Sequence, residues 1–204
     1  MRHGESMGNH DEMVYVTTPD WKIPLTNKGK LQAVEAGERL KEVIGDETLY
    51  VYVSPYLRAR QTLDGILSVL DVNQVVAVQE EPRISEQQFG NFQDVEQITK
   101  QKAERQRFGR FYYRFPSGEA GIDVYGRITG FLGSFFREHT LPRANNVLLV
   151  GHGLSLRLFL MRWYRWTVDT FESTHNPPNC GMVVMARCPN GKFDIVKDTT
   201  PSIL

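Results

Sequence analysis

Three short, β-branched or aromatic runs separated by helical periodicities constrain this chain more than any other feature. Residues 49–53 (LYVYV), 73–79 and 146–150 (NVLLV) have the length and composition of buried strands. Before the first run, Leu31, Val34, Ala36, Leu40 and Ile44 recur at near-helical spacing, so 27–43 reads as a helix with Thr26 as its N-cap. Ser54-Pro55 reads as the N-cap and first residue of a helix reaching about residue 70. After the last run, Gly151 leads into an apolar helix over 154–164, whose Leu154, Leu156, Leu158 and Phe159 belong in a core. Strands alternating with helices imply a mainly parallel sheet covered on both faces, an α/β fold of the three-layer α/β/α sandwich type. Ligands of such sheets bind beyond the carboxyl ends of the strands.

The remaining segments fit around that core. Residues 6–25 and 81–93 read as loops, and 94–108 and 120–139 as helices separated by the break Arg114-Phe115-Pro116-Ser117-Gly118. The stretch from about 94 to 140 then forms a helical cap insertion on a single domain spanning 1–204. Residues 181–187 and 192–196 flank Pro189-Asn190-Gly191, a hairpin signal.

Composition narrows the function classes. The 24 Lys and Arg residues balance 24 Asp and Glu, which gives no support for a nucleic-acid or polybasic membrane surface. No run approaches the roughly 20 apolar residues of a membrane span, and no charged-then-apolar leader opens the sequence. Cys180 and Cys188, if on one extended strand, stand roughly 26 Å apart, too far to bridge. The expectation is a cytoplasmic protein with reduced thiols and neither nucleic acid nor membrane as partner. Oligomeric state is not legible.

Chemistry concentrates where histidine sits beside glycine. Arg2-His3-Gly4-Glu5-Ser6 and Val150-Gly151-His152-Gly153 are two such places, and the strand at 49–53 ends at Ser54 and leads to Arg58. If the three strands are parallel neighbours, His3, His152, Arg2 and Arg58 converge on one crevice. Arginine offers a fixed, permanently charged fork matching phosphate oxygens, and a neutral imidazole is a competent nucleophile near neutral pH. The glycines permit close backbone approach, and the start of the helix after Gly153 can direct N–H groups at an anion.

On these residues, together with Asn9, Ala59, Thr62, Glu86, the Pro24-Leu25-Thr26 stretch and Phe115-Pro116-Ser117-Gly118-Glu119, the chain resembles the histidine phosphatase superfamily in its phosphoglycerate-mutase-like branch. Within it, the likeness is to small phosphoglycerate-mutase-like proteins of plants and fungi, some of them broad-range acid phosphatases. The resemblance implies that His3 becomes phosphorylated, and that Arg2, Asn9, Arg58, His152 and Gly153 hold the phosphoryl oxygens. Glu86 would protonate the leaving oxygen and then activate water, with no metal and no cofactor. The implied substrate is a small phosphorylated metabolite, and Arg114 would reach a second anionic group on it.

Mutases of the branch carry Tyr where Phe89 stands, Asn where Leu154 stands, and an arginine pair absent from 94–118. Pro19, which has no N–H, replaces a pocket glycine. These departures favour hydrolysis over a mutase or sugar-bisphosphatase. The competitor from another class is a phospho-ligand binding module without turnover. In this superfamily a strand of about six residues leads into the triplet, whereas only Met1 precedes it here. The expectation is that a chain beginning at Met1 is poorly stable, or that the natural chain starts upstream.

Overall fold

The computed structural model describes residues 1–90, 94–139 and 143–196. Three parallel strands, β1 (Leu49–Val53), β2 (Val75–Glu80) and β3 (Asn146–Val150), form a sheet of order β2-β1-β3. β1 is central and buried along its whole length, as an uninterrupted apolar run between two covered faces requires. β2 is an edge strand and alternates between half-buried and exposed residues. Helices cover both faces, so the fold is the α/β/α sandwich expected from the alternation.

Alternate residues of β1 feed two cores. Leu49, Val51 and Val53 pack with Ala33, Ala36 and Leu40 of α3 (Asn27–Ile44), and with Ala59, Leu63 and Ile66 of α4 (Leu57–Leu67). Tyr50 and Tyr52 point the other way. They meet Val124, Ile128 and Phe131 of α6 (Gly121–Glu138), and Leu154 and Leu158 of α7 (Gly153–Tyr164). α5 (Val95–Phe108) is capped by Asp94, which accepts from the Glu96 N–H. Thr26 caps α3 as expected, its Oγ1 accepting from Gly29 N–H at 2.9 Å. The hairpin also forms, with β4 (Met185–Arg187) antiparallel to β5 (Phe193–Ile195). Its first strand is shorter than the expected 181–187.

Five local readings are corrected. Residues 6–25 hold two single-turn helices, α1 (Met7–His10) and α2 (Val14–Thr17), and a 3-10 turn at Asp20–Lys22. Turns this short carry no periodicity to detect. Ser54 does not cap α4; Tyr56 occupies the N-cap position without a side-chain bond, because the Ser54 hydroxyl is drawn to His152. α4 ends at Leu67 rather than near 70. A helix that the periodicity did not reveal, α8 (Val168–Ser173), follows α7 and is capped by Thr167. The loop expected over 81–93 includes a 3-10 turn at Pro82–Ile84, and its residues 91–93 lie outside the described residues. Among the described residues, no helix is long and apolar enough to cross a membrane. Both cysteines are free thiols.

Candidate active site

The triplet that opens the chain lies along the carboxyl end of β3. Arg2 bridges Gly151 in parallel, His3 N–H donates to Gly151 O at 2.9 Å, and Gly151 N–H donates to Met1 O at 3.0 Å. On the opposite edge, Arg2 N–H donates to Gly181 O and Cys180 N–H to His3 O. His3 therefore sits beside His152, which leaves β3 one residue later; the two ring centroids are 5.2 Å apart. Glu86 arrives from the segment after β2, the parallel strand on the other side of β1. One donor atom each from His3, Glu86 and His152 fall within 4.8 Å of one another. Of the four residues expected to converge, the two histidines are adjacent, and the Arg58 and Arg2 charges act on His3.

His3 is 3% exposed and its Nδ1 lies 2.6 Å from Gly4 O. A carbonyl can only accept, so Nδ1 carries the proton and Nε2 keeps a free lone pair. Burial, then the Arg58 charge, holds the His3 pKa well below its ordinary value. His152 is fully buried and is lowered for the same two reasons, in the same order. Its Nε2 meets Ser54 Oγ at 2.8 Å, whereas Nδ1 is buried with no hydrogen-bond partner and stands 3.8 Å from Glu86 Oε2. Both rings are neutral near pH 7. Burial raises the Glu86 carboxyl above its ordinary value, against the opposing pull of Arg58. Glu86 Oε1 accepts from Gln87 N–H, and the Arg127 guanidinium fixes the Glu86 carbonyl at 2.9 Å.

The arginines are anchored from behind. Arg58, 3% exposed on the first turn of α4, lies over the Tyr56 ring and pairs through Nη1 with Asp20 at 2.8 Å. Arg2 Nη1 donates to Pro177 O at 2.7 Å, and its buried Nε has no partner. Thr62 Oγ1 accepts from Gly4 N–H and donates to Arg58 O, tying α4 to the segment that carries His3. Gly153 opens α7 where an added Cβ would stand 2.7 Å from the Asn176 side chain. Asn9 is linked to this group through Asn179, whose Nδ2 also donates to His3 O. It is exposed, and its Oδ1 accepts from Ser6 N–H, Ser6 Oγ–H and Asn179 Nδ2–H.

Arg114 does not reach toward the pocket as a spare cation: it pairs with Asp123 at 2.6 Å on the surface. Arg105 on α5 is half-buried over the Phe89 and Phe115 rings, donating to Gln87 Oε1. Asp20 and Tyr15, which no motif flags, both act on Arg58. His3, Glu86 and His152 are also metal-binding residue types. Two guanidiniums act on the same space, however, so its charge suits an anion and no ligand role is assigned to the three.

Comparisons with known proteins agree with this geometry. The family model described as the histidine phosphatase superfamily, branch 1, matches residues 1–198. Phosphoglycerate mutase-like protein AT74H of Arabidopsis thaliana is 44% identical, covering 95% of this chain and 74% of its own length. Broad-range acid phosphatase DET1 of Saccharomyces cerevisiae is 30% identical, covering 91% of this chain and 83% of its own. Among solved structures, the alpha-ribazole phosphatase from Shigella flexneri superposes with a TM-score of 0.74 over 100% of this chain and 97% of that one. At 19% identity it attests the fold alone.

Proposed function

Because the chain belongs to the histidine phosphatase superfamily, branch 1, we propose that it hydrolyses small phosphomonoesters through a phosphohistidine formed on His3, without a metal ion. The observation that carries this reading is the locked tautomer of His3, whose ring shares one small space with Glu86 and His152.

In the first step the Nε2 lone pair attacks phosphorus in line, the ester P–O bond breaks, and Glu86 gives its proton to the departing oxygen. In the second, the Glu86 carboxylate takes a proton from water. The resulting oxygen attacks phosphorus, the N–P bond breaks, and inorganic phosphate leaves with His3 and Glu86 restored. Arg2 and Arg58 hold the equatorial oxygens. Ser54 O–H donates to His152 Nε2, which turns the unpartnered Nδ1–H toward the phosphoryl group. Gly153 contributes a backbone N–H at the start of α7, and Asn9 contributes its Nδ2 from the rim. These charges replace a metal. Residues 94–140 are proposed as the insertion that selects the rest of the substrate. The free thiols support a cytoplasmic location.

Rapid-quench labelling tests the reading. Substrate carrying radioactive phosphate leaves acid-labile label on the protein in the presence of a chelator, and none on His3→Ala. Label surviving in that variant removes the proposed nucleophile. Absence of hydrolysis of any monoester points to a binding module, and phosphoglycerate isomerisation outpacing hydrolysis points to a mutase.

A further inference from the structure

One basic group of the pocket, Arg58, has an acidic partner that belongs to none of the sequence motifs. Asp20 stands on the 3-10 turn between α2 and α3 and accepts twice from Arg58 Nη1, on its backbone oxygen and on Oδ1, each at 2.8 Å. Among the described residues, this is the one ion pair Arg58 makes. The guanidinium plane is set by the Tyr56 ring 4.9 Å away, which leaves Nε and Nη2 as the donors Asp20 does not use. A buried arginine with one edge pinned and the other open is aimed rather than merely neutralised.

We propose that Asp20 is a positioning residue for catalysis: its carboxylate aims Arg58 and supplies the negative charge against which Arg58 and Glu86 are both set. The inference rests on the phosphohistidine reading. With both imidazoles neutral, Arg2 and Arg58 bring two positive charges and Asp20 cancels one. Glu86 faces Arg58 and Arg2, which favour its anion, and Asp20, which favours its protonated form. Tyr15 and Arg105 also lie within electrostatic range of it, and His152 Nδ1 stands 3.8 Å away. Burial is the largest influence on the Glu86 carboxyl and raises it, and Asp20 works in the same direction. The same carboxylate thus orients a phosphate donor and helps keep the acid loaded with its proton.

Two substitutions separate these effects. Asp20→Asn keeps an oxygen to accept from Arg58 and removes the charge; Asp20→Ala removes both. In Asp20→Asn, the Glu86 carboxyl titration followed by carbon-13 NMR moves to lower pH, as does the alkaline limb of kcat/KM for an alkyl phosphate, whose leaving group needs the proton. Inorganic phosphate binds this variant no more weakly than wild type by calorimetry. In Asp20→Ala, phosphate binding weakens roughly tenfold, the loss of about one charge-assisted contact. An unchanged Glu86 midpoint in Asp20→Asn overturns the charge role, and unchanged phosphate affinity in Asp20→Ala overturns the aiming role. A lowered Tm with both readouts unmoved would mean an ordinary structural ion pair and overturns the proposal. NMR and calorimetry need no turnover, so a wild-type protein that hydrolyses nothing sinks the phosphatase reading separately.

Discussion

His3 and Glu86 are set to opposite protonation states by the same burial: the ring loses its proton well below its ordinary value, and the carboxyl holds its proton above its own. Lowering the one and raising the other widens the pH range in which a free nucleophile and a loaded acid coexist. Glu86→Gln should abolish the alkaline limb of the pH profile and lower kcat/KM for an alkyl phosphate by about a hundredfold or more. The loss should be smaller for p-nitrophenyl phosphate, whose leaving group needs no proton. Equal losses on both substrates would show that Glu86 is not the proton donor. At this scale the sequence was informative wherever a residue lies in a contiguous motif, as His3, Arg2, His152 and Arg58 do. Asp20 was invisible because its partner is 38 positions away and none of the motifs includes it. Ser54 was legible as a cap by local preference, but tertiary contact with His152 overrode that preference.

The first turn of α3 presses directly on the loop after His3. A Cβ on Gly29 would stand 2.0 Å from Glu5 O, and one on Gly4 would stand 2.5 Å from Gly29 O, so two glycines meet where backbone touches backbone. Neither side can move without shifting the segment that carries His3. Gly29→Ala should cost about 1–3 kcal/mol in urea unfolding and also lower turnover. Gly126→Ala, on α6 in open space, should instead stabilise by about 0.5–1 kcal/mol through helix propensity alone. Equal effects at the two positions would contradict the close approach. Long elements such as α3, α6, α7 and β1 were legible because their periodicity extends over several turns or a full apolar run. α1 and α2, four residues each, and α8, six residues, are fixed by caps and contacts that leave no such pattern.

Across the whole molecule, two fully buried neutral imidazoles make stability depend on pH. Their folded pKa values lie below the unfolded value near 6.5, so below that pH the unfolded chain binds protons the folded chain does not. Stability is then lost as pH falls, by about 1.4 kcal/mol per pH unit for each ring. Glu86, raised by burial, works in the opposite sense, but it is one group against two. Urea unfolding in phosphate-free buffer should show this slope below about pH 6.5, and His152→Gln should flatten it; a flat profile in the wild-type protein would mean the rings are not neutral in the fold. The parallel sheet and its two covering layers were legible in the alternation of strands and helices. What was not legible is how the far end of the chain closes the site: Pro177 O holds Arg2, Asn179 reaches both His3 O and Asn9, and Cys180 and Gly181 bond the backbone of the opening triplet. A polypeptide grows from its amino end, so the Arg2-His3-Gly4 triplet is synthesised long before residues 177–181, and its clasp forms only once they follow. Fragments cut short of residue 177 lack every one of these contacts, so the site cannot close before that stretch has been made.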